Sequence, residues 1–237
     1  MNRFAQFLQD VKPQNILDVA TGSGSFIGLI RQLYGDYRSI VGIDALSIAV
    51  RTATKNHQDD SRIRFERMDA EQMRFRRNSF DLVCLSNSLH HLADTDKVLR
   101  EMHRVKKPDG YVLISEMVSD QLTKAQLSHL KIHHFAAAVD RHLGEIHGDT
   151  LSRADLLARL ETRSDMTIVD HWVLDYHRAG ESSDSEIQWL NDTIDKLVDR
   201  VTDPDAKAQF RQTGNEIKQY IKVHGFESAT TYMVVLQ

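Results

Sequence analysis

Along the first half of the chain, short apolar runs alternate with stretches in which apolar residues return every three or four positions. Ile16 to Ala20 is one such run and reads as a buried strand, and Ser25 to Tyr34 places Phe26, Ile27, Ile30 and Leu33 at helical spacing. Ser39 to Asp44 and Ser47 to His57 repeat the strand–helix unit. Ile63 to Asp69, Phe80 to Ser86 and Tyr111 to Met117 supply three further strands. Between the last two, Asp96 to Lys106 carries Val98, Leu99, Met102 and Val105 on one helical face. Lys106 and Lys107 complement the negative end of that helix, and Pro108-Asp109-Gly110 stops it.

The second half is less regular. Leu122 to Leu143 reads as a long helix rich in histidine, Thr150 to Glu161 as a short one, and Met166 to Tyr176 alternates as a strand does. Ser183 to Val223 is helical with an interruption near Pro204, and Thr230 to Leu236 closes the chain as a strand. Strands alternating with helices predict an α/β fold with a doubly wound, mostly parallel sheet covered on both faces. Seven strands are expected, the last inserted antiparallel. The expected organisation is one domain over 1–237, with a core at about 12–117, 150–176 and 229–237 and helical lid insertions at about 118–149 and 180–226.

Composition narrows the partners. With 237 residues, 41% hydrophobic and 27% charged, the chain can bury a full core. A net charge of -4 gives no general attraction to phosphate backbones, so no nucleic-acid partner is expected. Arg51 to Arg77 is locally basic, with eight Lys/Arg against five Asp/Glu, and reads as a solvated face. The single cysteine, Cys84, excludes an intrachain disulfide and suits a reducing compartment. No signal peptide opens the sequence and no run approaches a membrane span, so a cytoplasmic protein without membrane insertion is expected.

A doubly wound sheet binds its ligand beyond the carboxyl ends of its strands. That rim collects Ala20 to Gly24, Asp44, Asp69 and Ser86 to His91. The turn Thr21-Gly22-Ser23-Gly24 after a buried strand lets backbone approach a ligand closely, at the start of a helix whose first N–H groups are unpaired. The dinucleotide fingerprint G-x-G-x-x-G is not met, because Ile27 stands where its third glycine belongs. Asp18, a carboxylate inside the strand, suits an ammonium better than a pyrophosphate. Asp44 can accept both hydroxyls of a ribose, and Asp69-Ala70 can read an adenine amino group; either carboxylate could instead cap a helix.

Ile16-Leu17-Asp18-Val19-Ala20-Thr21-Gly22-Ser23-Gly24 resembles motif I of class I S-adenosylmethionine (SAM)-dependent methyltransferases, a Rossmann-like family. Val41-Gly42-Ile43-Asp44 and Met68-Asp69-Ala70-Glu71 resemble its next two strand ends. Ser79 to Leu92 and Leu99 to Gly110 are similar to the subgroup that includes ubiquinone/menaquinone-biosynthesis methyltransferases. The similarity runs from about residue 14 to 117. It implies SAM as cofactor, S-adenosylhomocysteine as product and a small-molecule substrate. By the same resemblance Asp18, Ala20, Gly22 and Gly24 surround the methionine part, Asp44 and Ala45 the ribose and adenine, Asp69 and Ala70 the adenine edge, and Ser86 the region near the methyl. Asp109 stands where the family usually has glycine, and Asn-Pro-Pro-Tyr is absent after the fourth strand, which argues against methylation of DNA bases.

Methyl transfer from a sulfonium is an in-line displacement, and a base is needed only where the acceptor carries a proton. His90, His91 and His133 are the candidate catalytic histidines. Ser128 to His147 holds five of the chain's twelve histidines. His129 and His133 share a helical face, and with Asp140 and His147 they form the ligand inventory of a divalent metal; the other reading is a partly polar lid helix whose histidines line a substrate pocket or face water. Rival functions are a SAM-binding regulatory or metal-sensing protein without methylation, and an NAD(P)-dependent oxidoreductase.

Overall fold

The computed structural model describes residues 2–162, 166–174 and 183–237. Seven strands form one sheet in the order β3-β2-β1-β4-β5-β7-β6, from β1 (Asn15–Val19), β2 (Ser39–Asp44), β3 (Ile63–Arg67), β4 (Phe80–Ser86), β5 (Lys106–Met117), β6 (Ile168–Leu174) and β7 (Thr231–Leu236). The pairs β1–β2, β1–β4, β2–β3 and β4–β5 are parallel. At its far edge the sheet turns antiparallel: Thr167 and Gln237, flanking β6 and β7, exchange two backbone hydrogen bonds of 2.9 Å. The expected mixed α/β sheet is thus present. Strand order reverses between β1 and β4, and a ligand crevice belongs at that switch.

The chain separates into two compact units. The first comprises 1–116, 155–174 and 232–237, the second 117–154 and 175–231. The outer ends of two expected segments, 175–176 of the strand and 180–182 of the second insertion, lie outside the described residues.

In the first unit every residue of β1 is buried, as a central strand covered on both faces requires. Its core joins Ile16, Ile40, Leu82 and Leu113 from the sheet with Phe26, Ile27 and Ile30 of α2 (Ser25–Leu33). The strand–helix reading began at Ile16 and left out the helix α1 (Arg3–Val11), although Phe4, Phe7, Leu8 and Val11 stand at helical spacing. Phe4 and Leu8, a turn apart, are fully buried, Phe4 stacks on Phe26 at 5.7 Å between ring centroids, and the Asn2 side chain caps the start by accepting from Phe4 N–H at 2.8 Å. Between β2 and β3 runs α3 (Ser47–Asn56), and between β4 and β5 runs α4 (Thr95–Val105).

Pro108-Asp109-Gly110 does not form a free turn before the fifth strand. The segment belongs to β5 as a bulge: Phe80 pairs with Lys106 and Leu82 with Tyr111, so the extra residues loop out within the strand. Lys106, expected at an exposed helix end, is buried. Its Nζ donates to the carbonyls of Lys107 at 3.0 Å and Gly110 at 3.3 Å and fills the bulge, and burial lowers its pKa.

The second unit is built on α5 (Lys124–His142), α7 (Asp184–Asp199) and α8 (Pro204–His224); α6 (Arg153–Glu161) straddles the division between units. Each of the three has a side-chain cap: a reciprocal Thr123–Gln126 box, Ser183, and Asp203 ahead of a first-turn proline. Ile132, Phe135 and Val139 pack with Leu190, Ile194 and Val198 and with Ile217 and Ile221, three apolar stripes meeting along their lengths. A Cβ on Gly214 would lie 2.8 Å from Ile194 Cγ2, so glycine permits the close approach of α7 and α8. No helix among the described residues is long and apolar enough to cross a membrane.

Candidate functional site

The glycine turn, Asp44 and the loop after β4 meet where β1 ends. Asp18 pairs in register with Gly42 on one side and Cys84 on the other, which puts its carboxyl at the middle of the sheet and leaves it 1% exposed. The chain then turns through two left-handed residues, Ala20 at φ 53° and Gly22 at φ 55°, to Gly24 at φ 80°, which begins α2 without a side-chain cap. A left-handed alanine is a strained choice that a packed neighbourhood must hold in place. A Cβ on Gly24 would stand 2.7 Å from His57 Nε2.

His57 supports this turn from beneath. Its Nε2 lies 2.9 Å from the Gly24 carbonyl, which can only accept, so Nε2 carries the proton and Nδ1 accepts from Arg31 Nη1 at 3.2 Å. Asn56 Nδ2 donates to the Ser23 carbonyl at 3.0 Å. Neither residue was foreseen; both sit at the end of α3, where the pattern offers nothing to mark them.

Asp18 Oδ2 accepts the Thr21 hydroxyl at 2.5 Å, whereas its Oδ1 is buried without a hydrogen-bond partner among the described residues. Burial raises the carboxyl's pKa to about 7, against the opposing Thr21 bond and with a smaller push from Asp44. An unpaired buried carboxylate oxygen is costly, and a cation or hydrogen-bond donor at that place relieves it. Asp44 bridges two elements: Oδ2 accepts Gly22 N–H and Oδ1 accepts Leu46 N–H, each at 2.9 Å. It therefore fixes the turn against the end of β2, and its partly exposed carboxylate retains lone pairs for further donors. Ala45 beside it is exposed. Asp69 is exposed and accepts Glu71 N–H at 2.8 Å in a local turn; no helix follows β3 for it to cap, and Ala70 is half-buried.

Ser86 ends β4, and the next residues form a loop held by a side chain that the sequence reading passed over. Glu116, buried at the end of β5, accepts Ser88 N–H at 2.8 Å and Leu89 N–H at 2.9 Å on Oε1, and its Oε2 lies 3.1 Å from His90 Nδ1. Ser88 Oγ donates to the Ser86 carbonyl at 2.8 Å and reaches that of Ala20 at 3.3 Å, tying this loop to the glycine turn. A carboxylate inside the apolar run Val112 to Met117 was the signal for Glu116, the same kind of signal that marked Asp18 in β1. The two neighbouring histidines differ. The His90 side chain is 5% exposed and oriented by Glu116, while His91, equally prominent in the sequence, is exposed.

The second unit brings together three of the four expected metal ligands. His147 Nδ1 stands 2.7 Å from Asp140 Oδ2, and His147 Nε2 stands 3.4 Å from His133 Nε2. Asp140 Oδ1 also takes Arg200 Nη1 at 2.7 Å. Burial opposes ionisation of Asp140, yet the His147 and Arg200 hydrogen bonds hold its pKa below the usual value. His129 stands apart from this group in its contacts: its Nδ1 accepts Ala229 N–H at 2.9 Å, and burial lowers its pKa.

Residues 17–114 match the family model described as a methyltransferase domain. The ubiquinone/menaquinone biosynthesis C-methyltransferase UbiE of Haemophilus ducreyi is 33% identical over 108 residues, covering 44% of this chain and 42% of that protein. A demethylmenaquinone methyltransferase of Bacteroides fragilis is 32% identical over 117 residues, covering 48% of this chain and 47% of that protein. The chain thus matches less than half the length of either curated relative. A crystal structure of a putative methyltransferase from Bacillus halodurans superposes with a TM-score of 0.61 at 16% identity, covering 94% of this chain and 91% of that one, a likeness of fold. The matched segment begins inside β1 and ends inside β5, so it holds the glycine turn, Asp44, Asp69 and the loop after β4. Residues 17–114, about two fifths of the chain, are therefore similar to methyltransferase domains.

Proposed function

We propose that this chain is an enzyme that transfers a methyl group from SAM to a small-molecule acceptor. The observation that carries the reading is the buried, unpartnered Asp18 Oδ1 beside the glycine turn. A cofactor with an amino-acid ammonium answers that oxygen, whereas a pyrophosphate would repel it. The residues present fit such a group. Asp18 and the backbone of 20–24 would hold its methionine part, Asp44 with Ala45 its ribose and adenine, Asp69 and Ala70 the adenine edge, and Ser86 the end nearest the methyl.

When bound, the cofactor supplies an electrophilic methyl on a positively charged sulfur. The chain's part is to bind, align and exclude water. His90 has the further capacity to move a proton. Glu116 is an acceptor for Nδ1–H, which leaves the lone pair of the neutral ring on Nε2, and a protonated acceptor group would pass its proton there. We assign the base role to His90 ahead of the exposed His91 on this ground. The net charge and the printed activities of the relatives support a small molecule as acceptor, and the buried lone cysteine suits a cytoplasmic setting.

Incubation with methyl-labelled SAM and the small-molecule fraction of a cell extract tests the reading. Label is expected in a low-mass product, and the Asp18→Asn variant should abolish the transfer. S-adenosylhomocysteine binding with no acceptor labelled in any fraction would instead indicate a SAM-binding protein without methylation.

A further inference from the structure

We propose that His133 and His147 form a divalent-metal site of zinc type in the helical unit, with Asp140 fixing the tautomer of His147. The distance between the two rings is the starting point. Imidazole nitrogens bound at ~2.05 Å to one tetrahedral zinc ion lie roughly 3.3 Å apart. The two Nε2 atoms here are 3.4 Å apart, longer than a well-formed hydrogen bond and matching a shared ion.

The protonation pattern agrees. Asp140 is an acceptor, so His147 Nδ1 is its donor and the lone pair of the neutral ring lies on Nε2, facing His133. A carboxylate–histidine–metal arrangement of this kind orients a metal-binding imidazole and raises its basicity. Arg200 on the other Asp140 oxygen keeps the carboxylate from ligating in place of the ring, and Arg200 Nη2 is itself tied to Glu145 at 2.9 Å.

The ligand-bearing segments are also anchored. His133 projects from α5. His147 lies in the loop after it, 5% exposed, and the loop is held to α5 at two places. Arg141 Nη1 donates to the His147 carbonyl at 2.8 Å, and His134 Nε2 meets Thr150 Oγ1 at 2.9 Å. The loop leaves the helix through Gly144 at φ 83°, a left-handed position that lets the chain turn back at once. Water or another oxygen or nitrogen donor completes the shell.

The test uses the full chain without a histidine tag, freed of metal by chelator. Titration with Zn2+ should show about one ion per chain. In a two-bond 1H–15N spectrum of the imidazoles, Zn2+ should shift the His133 and His147 ring signals and leave His129 unmoved. His133→Ala and His147→Ala should each weaken binding roughly tenfold or more, Asp140→Asn by about tenfold, and His129→Gln not at all. Zn2+ that leaves both ring signals unmoved in the unmodified chain, or binds the double His variant as tightly as the parent, would overturn the proposal. The spectrum of the unmodified chain decides the matter even if a variant does not fold.

Discussion

Burial raises the proton affinity of the Asp18 carboxyl until it titrates at about pH 7. A carboxyl whose folded pKa lies above its unfolded value of 3.8 binds more protons in the folded state between the two. Its contribution to stability is therefore complete below that lower value and is lost as pH rises through 7. Asn at this position keeps an acceptor for the Thr21 hydroxyl but carries no charge. Asp18→Asn should gain stability over the parent from pH 5 to pH 8, by at most ~3 kcal/mol of pH-dependent difference, in urea unfolding. A constant difference across that range would refute the titration. Gly24 makes a second demand at this scale. Gly24→Ala needs a left-handed alanine and a Cβ 2.7 Å from His57 Nε2, so a loss of about 1–3 kcal/mol in the same unfolding assay is expected, along with weaker binding of S-adenosylhomocysteine.

At the scale of elements, the loop after β4 owes its shape to one carboxylate on the neighbouring strand. Glu116 accepts two backbone N–H groups and engages His90, at a point where Asn87 is left-handed at φ 46°. Glu116→Gln should raise amide hydrogen exchange across residues 87–91 by about tenfold and cost about 1–2 kcal/mol, with the exchange of β1 unchanged. If exchange is unaltered, the loop is held by something else. The strands and their helices were legible because buried parallel strands read as apolar runs, and β2 and β4 fell where the pattern put them. The bulge in β5 was not legible. Pro-Asp-Gly is ordinary turn chemistry, and only pairing with β4 reveals that the chain stays in the sheet. Helix α1 was legible but not read: Phe4, Phe7, Leu8 and Val11 stand at helical spacing, and burial of Phe4 and Leu8 fixes the helix firmly.

For the whole molecule, the glycine turn, Asp44 and Asp69 were visible in sequence because their spacing is set by the strand–helix repeat. His57 and Glu116, which hold that turn and the β4 loop, arrive from distant positions and depend on tertiary packing. The same holds in the helical unit, where Asp140, His133 and His147 meet because the loop folds back on α5, whereas helical spacing alone suggested His129 as well. The chain thus has a first unit, most of whose length resembles a methyltransferase domain and carries the proposed cofactor site, and a helical second unit carrying the proposed metal site.

The central claim is that Asp18 and the glycine turn serve an ammonium-bearing adenosyl cofactor. Calorimetric titration of the unmodified chain with S-adenosylhomocysteine near pH 7, in buffers of different ionisation enthalpy, tests it most directly. One ligand per chain should bind, releasing a fraction of a proton as Asp18 ionises, and Asp18→Asn should weaken binding at least about tenfold and abolish that release. Absence of S-adenosylhomocysteine binding, together with saturable binding of NAD(H), would contradict the account.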